Sequence, residues 1–159
     1  MIVAVRGADK YISDPTHRVA VGAYIFDENG KLLLLLRRNP PRIFAPPGGR
    51  LRPDEDPREG VLREIREETS IEVELFEPVL LWFGRIVQDS PLYIGLDFIA
   101  RAKTKDVKLS DEHIDFVWAT WHDIESGVVK TEENGYGYAK KDIRKAFELF
   151  EKLIAKNDV

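Results

Sequence analysis

Residues 48–71 read GGRLRPDEDPREGVLREIREETSI. A glycine pair, a proline-bearing acidic turn and a charged amphipathic segment follow one another without a break. Asp56 suits a helix N-cap, Pro57 suits the first helical position, and Glu59 stands where a capping box places its reciprocal acceptor. The spacing predicts a helix over Pro57–Thr69. At about 100° of rotation per residue, Val61, Leu62, Ile65 and Thr69 share one arc, and Glu64, Glu67 and Glu68 fall together on the next. Glutamates at i, i+3 and i+4 repel one another by a few tenths of a kcal/mol per pair, so the grouping gains nothing unless cations sit there. Such hard oxygen ligands suit Mg²⁺ or Mn²⁺. The competing reading is a solvated charged face, natural in a chain that is 33% charged.

Gly49, then Glu55 after five residues, then after seven more Arg63-Glu64-Ile65-Arg66-Glu67-Glu68-Thr69-Ser70-Ile71 closely resembles the Nudix box, G-x5-E-x7-R-E-apolar-x-E-E-x-G-apolar. One constrained position departs, Ser70 for the second glycine, which reads as a helix C-cap in αL geometry that costs serine ~1 kcal/mol. The resemblance implies an α/β fold, an α/β/α sandwich with a central mixed β-sheet. It implies a metal-dependent hydrolase that breaks the diphosphate of a nucleoside diphosphate linked to another moiety, with Mg²⁺ (or Mn²⁺) as cofactor. Glu64 and Glu68 are the first ligands it suggests, then Glu67 and the carbonyl of Gly48. Glu55 completes the metal shell or braces the loop, and Arg63 orients a glutamate. Either Glu64 or Glu112 is the general base.

The chain has 159 residues, a formal net charge of −4 and no cysteine. That length suits one domain, here taken as 1–159. The acidic balance argues against general nucleic-acid binding, which rests on clustered positive charge. Without cysteine there is no disulfide framework and no thiol nucleophile, so cytoplasm is the expected compartment. No apolar run approaches a membrane span and no leader pattern opens the chain, so an unprocessed protein with no membrane partner is expected. The expected partner is a small-molecule nucleotide; a homodimer is compatible with the sequence but nothing in it demands one.

Met1–Pro15 reads as an edge strand or arm. His17–Phe26 and Lys31–Arg37 are β-prone runs joined by Asp27-Glu28-Asn29-Gly30, a hairpin in which Asn-Gly supplies positive φ angles. Leu32–Leu36 is too short for a helix beside such a turn, so it reads as a strand buried on both faces. Arg37 or Arg38 at its end resembles the family's phosphate-binding base, against a solvated strand end. Phe44 stands where relatives carry an aromatic near the nucleobase. Glu72–Phe83 and Leu92–Ala102 are further strands; Trp82, Phe83, Tyr93 and Arg85 are candidates to stack on or pair with a nucleotide, although aromatics are more often core. Glu112 lies six residues before Trp118, the spacing of the family's acidic loop. His113 has no partner at metal-ligand spacing and reads as a surface histidine. His122–Ile124 begins a short helix, Gly135–Tyr138 is a loop near the site, and Tyr138–Ala155 is a helix with Ile143, Ala146, Phe147, Phe150, Leu153 and Ile154 on one stripe.

Two rival functions come from other classes. A nucleotide-sensing module on the same fold commonly loses box glutamates, and all four are here. The isomerase branch of the family uses a cysteine, and this chain has none.

Overall fold

The computed structural model describes residues 17–86 and 88–157; the strand or arm expected at Met1–Pro15 lies outside them. Strand β1 (Arg18–Phe26) turns into β2 (Leu32–Arg37), followed by the short β3 (Phe44–Ala45) and β4 (Gly48–Arg50), helix α1 (Pro57–Thr69), and the long β5 (Val73–Arg85) and β6 (Leu92–Ala102). Then come β7 (His113–Ala119), α2 (Trp121–Glu125), the small pair β8 (Glu132–Glu133) and β9 (Tyr136–Gly137), and α3 (Lys140–Asn157).

The main sheet is mixed. Its path runs β3-β2-β1-β6-β5, with β4 on β1 and β7 on β2. β1 runs parallel to β6 from Arg18↔Tyr93 to Phe26↔Arg101, while β5 pairs antiparallel with β6 and β7 with β2. β1 and β2 form a hairpin that shares only Phe26↔Leu32 and then parts, and β4 takes the freed flank of β1 at Ala20–Gly22. The turn differs from the expected pair of positive φ angles. Gly30 alone adopts one, at 72°, because Asp27 Oδ1 accepts from the N–H groups of Asn29 and Lys31, both at 2.9 Å, and shapes the loop itself.

Alternation along the buried strands supplies two cores. Val21, Ala23, Ile25, Leu33 and Leu35 meet Val61 and Ile65 of α1. Tyr24, Phe26, Leu32 and Leu34 face the other way, against Ile143, Ala146, Phe147 and Phe150 of α3. Four of the five leucines of β2, Leu32 to Leu35, thus serve the two layers in alternation. The Phe26 ring stacks on Phe150 at 4.4 Å between centroids and meets Phe147 edge-on at 5.0 Å. The product is an α/β/α sandwich. α3 begins two residues later than expected because Tyr138 is tied back to Thr131: its N–H donates to Thr131 O at 2.9 Å and its carbonyl accepts from the Thr131 hydroxyl at 2.8 Å.

α1 has the expected bounds, and Asp56 caps it by accepting from Arg58 and Glu59 N–H. It ends on Ser70 at φ 61°, ψ 9°, whose N–H donates to Arg66 O at 3.0 Å. The αL exit is kept with serine in place. Relief of Cβ strain, offset in part by glycine's freer unfolded chain, should make Ser70→Gly more stable by about 0.5–1 kcal/mol. A thermal melt should show a midpoint higher by roughly 1–4 °C; an unchanged or lower midpoint would mean that the weak Ser70 Oγ contact to Lys108 O, at 3.5 Å, matters more than the strain.

Candidate active site

Arg63 is the hub. Its Nε and Nη2 donate to Glu55 Oε2 and Oε1 at 2.7 and 2.8 Å, its Nη1 to Glu64 Oε1 at 2.9 Å and Glu67 Oε2 at 3.2 Å, and Nη2 also reaches Arg50 O at 3.3 Å. The paired guanidinium hydrogen bonds hold the Glu55 carboxyl down at about 2. Glu55 also accepts from Arg52 N–H at 3.1 Å, so it braces the loop before α1. β4 passes so close that a Cβ on Gly49 would lie 2.6 Å from the Glu64 carboxyl, and one on Gly48 2.3 Å from Val21 O. The backbone contact requires glycine at 48, whereas a side chain at 49 would push the Glu64 carboxyl out of its place.

Glu68 points inward and is 3% exposed. Its one hydrogen bond is accepted from Gly48 N–H, at 3.3 Å. Burial first, then the charges of Glu64, Glu112 and Glu67, push its carboxyl up to about 9 against the pull of that bond. Glu64 is also raised, by burial and by the charges of Glu67 and Glu112, with Arg63 opposing. Glu112 therefore arrives at the box from a distant segment. Its loop is tied down by Lys108 N–H to Thr69 O at 2.9 Å and by Arg38, whose backbone N–H reaches Glu112 O at 3.0 Å and whose Nε reaches Asp111 O at 2.6 Å. Glu67 is half exposed and held between Arg63 and Arg52. Among the described residues no three acidic or histidine side chains already surround a single point at ligand distance. The oxygen-only set of Glu64, Glu67, Glu68 and the Gly48 backbone fits Mg²⁺ in chemistry, and a divalent cation would offset the burial and neighbouring negative charge that hold a proton on Glu68.

Two clefts share part of their lining, and the first adjoins α1 at Glu68. The first, ≈ 330 Å³, is lined by Gly48, Gly49, Glu68, Glu112, Arg37 and Asp97 among others. The second, ≈ 430 Å³, includes Trp82, Phe83 and Arg85 and shares Arg37, Trp82, Asp97 and Tyr138 with the first. Of the two candidate arginines, Arg37 thus faces both clefts, whereas Arg38 anchors the Glu112 loop. Phe44 is not brought to the site. Ile43 and Ala45 line the second cleft, and Phe44 between them packs half-buried on the α3-side core. Tyr93 is buried away from both clefts. Arg85 lines the second and donates to Ser90 O.

His113 is not a surface residue: it lines the first cleft, half-buried, with Nδ1 unpartnered, and burial lowers its affinity for a proton. Sequence reading passed over Asp97 altogether. It is 3% exposed on β6, and burial, with the charge of Asp142 behind it, raises its carboxyl to about 7, while the nearby Trp82 indole opposes. The available signal was a lone acid inside the apolar run LYIGLDFIARA.

A family model for the NUDIX domain matches residues 16–141. The chain belongs to this family. A curated MutT-like protein of Streptomyces ambofaciens is 39% identical over 77 residues, which are 48% of this chain and 49% of that protein, so the match spans about half the length of each. Among solved NUDIX-fold structures, a C. elegans Ap4A hydrolase in a binary complex superposes with a TM-score of 0.69 at 25% identity, covering 87% of this chain and 98% of that one. A MutT protein of Methanosarcina mazei Go1 gives 0.63 at 29% identity, covering 89% and 96%. No helix among the described residues is long and apolar enough to cross a membrane.

An unfolded glutamate loses its proton near 4.5, whereas folded Glu68 keeps it to about 9. Between those values the folded protein binds the extra proton, so the stability contributed falls as pH rises. With chelator present, the thermal midpoint should decline from pH 5 to pH 9, and Glu68→Gln, neutral in both states, should flatten the decline; the shifts of Glu64 and Asp97 leave a residual slope. Parallel declines in the two proteins would count against a proton held on Glu68.

Proposed function

We propose that this chain is a metal-dependent hydrolase of the diphosphate bond in a nucleoside diphosphate linked to another moiety. The observation that carries the reading is the presence of Glu68 and Glu112 in one cleft with Gly48 and Gly49, where the Glu64 carboxyl lies against Gly49. Substrates of the class acted on by the Ap4A hydrolase relative, together with ADP-ribose, nucleoside triphosphates and sugar nucleotides, share the diphosphate that such a site addresses. A cytoplasmic setting, with a small nucleotide as partner, belongs to the same proposal.

Mg²⁺ or Mn²⁺, when bound, would neutralise phosphate oxygens and acidify a water. Glu68 and Glu64 are the carboxylates proposed to hold it, with Glu67 and the Gly48 carbonyl beside them. Arg63 is a positioning residue, since all its donors are engaged by Glu55, Glu64, Glu67 and Arg50. Arg37 carries a guanidinium with Nε buried and unpartnered in the cleft, and we assign it to a phosphate. Of the two candidate bases, Glu112 is favoured. Glu64 is ion-paired to Arg63, whereas the Glu112 carboxylate takes no hydrogen bond or ion pair from the described residues and is free to accept a proton from water.

Turnover of a nucleotide panel, scored by product identity, should require added Mg²⁺ or Mn²⁺ and fall by at least ~10²-fold in Glu68→Gln with the fold intact. Full turnover in excess chelator would sink the metal reading. Glu112→Gln should lower kcat by ~10² or more and remove one limb of its pH profile at unchanged Mg²⁺ requirement, with Asp111→Asn within about twofold. A raised Mg²⁺ requirement instead would make Glu112 a ligand and return the base to Glu64.

Arg37→Ala should raise KM more than it lowers kcat, as expected for a contact made throughout the reaction. Arg38→Ala acts through the loop that carries Glu112, so its effect should fall on kcat. The reverse pattern would exchange the two assignments.

A further inference from the structure

Among the described residues, the buried side-chain polar atoms without a hydrogen-bond partner are Arg37 Nε, Trp82 Nε1, Ser110 Oγ and His113 Nδ1. Arg37, Trp82 and His113 line the first cleft, and the first two also line the second. Orphaned buried polar atoms are rare, and their gathering at one place marks where a ligand completes the structure. Asp97 stands at the same junction. It is 3% exposed and lines both clefts, with the Trp82 indole beside it. A carboxyl offers about four acceptor positions, so one neighbouring indole leaves capacity for a ligand's donor.

The surroundings say what kind of donor. The Trp82 indole fills the space over Gly95, where a Cβ would lie 1.7 Å from the ring, so the indole lies down on β6 beside Asp97. Tyr24 and Tyr138 also line the second cleft, and Tyr138 is shared with the first. Aromatic walls with one buried acceptor and an indole N–H suit a flat heterocycle bearing an N–H donor and a ring acceptor. A carboxyl accepting from an exocyclic amino group is a standard way of reading a base edge. We propose that Asp97 is a specificity-determining residue that accepts a hydrogen bond from the exocyclic amino group of a nucleobase seated in the second cleft beside Trp82. This rests on the nucleotide reading above but not on catalysis. Ionised or neutral, the carboxyl retains an acceptor oxygen.

The test is calorimetric binding to the full chain, using nucleotide pairs that differ only by the amino group: AMP against purine riboside 5′-monophosphate, GMP against IMP, and CMP against its 4-deamino counterpart. Ribose and phosphate cancel within a pair, so the ratio is read whether or not the protein hydrolyses anything. At least one amino-bearing member should bind about tenfold or more tightly than its partner, the scale of one hydrogen bond to a buried acceptor. Asp97→Ala should bring that ratio to within about twofold. Asp97→Asn, of equal size and with one acceptor oxygen left, should reduce it without abolishing it, and guards against a failure of the alanine variant to fold. The inference is overturned if no pair shows a preference, if the preference survives in both variants, or if none of the nucleotides binds. A preference for AMP over 2′-deoxy-AMP that Asp97→Ala alone removes would place Asp97 on the ribose and overturn it equally.

Discussion

One guanidinium organises the acidic end of this molecule. Arg63 binds both oxygens of Glu55 and one each of Glu64 and Glu67, so a helix that would repel itself is held to the loop that precedes it. Without that cation, Arg52 alone would answer the charges of Glu55 and Glu67, and Glu64 would have no ion pair among the described residues. The compensation is uneven, and the unevenness has a chemical consequence. Glu68, one turn further on, has only the N–H of Gly48, and Glu112 has no donor among the described residues. Demand for positive charge is thereby concentrated at the inner end of α1, where the backbone of β4 and the first cleft meet.

The approach of β4 depends in turn on the early divergence of the hairpin. Had β1 and β2 stayed paired, the flank of β1 at Ala20–Gly22 would be occupied, and Gly48–Arg50 could not lie there. β2 finds β7 instead, through Leu32↔Ala119 to Leu36↔Asp115, and that pairing delivers His113 and the Glu112 loop to the same opening. The register shift between Leu36 and Arg37 falls at the last step before the two arginines part company, one into the clefts and one onto the loop.

Much of this was legible in the chain. Capping chemistry at Asp56-Pro57 and the glycine-like exit at Ser70 bounded α1, and the LLLLL run declared a strand with two buried faces. The box glutamates showed the family, later borne out by the domain match. What was hidden was non-local. The parallel pairing of β1 with β6 has no signature in either strand, so nothing announced that Asp97 would lie beside the glycine turn. Phe44 was expected near the base from its place in the family pattern and Phe83 was one aromatic candidate among several, yet Phe44 packs on the core and Phe83 lines the second cleft. His113 read as exposed because burial of a loop-edge residue is decided by the strand it joins.

Gly22 links the two halves of the site. Its backbone pairs with Asp97 on one side and with Gly48 on the other. A Cβ there would lie 2.7 Å from Asp97 Oδ1 and 3.4 Å from Pro47 O. The residue inferred to read the base and the strand that meets Glu68 are therefore neighbours across a single bare position of β1. A side chain at Gly22 would crowd Asp97 directly and touch the Pro47 carbonyl just before β4, so the two approach each other only because β1 is bare there.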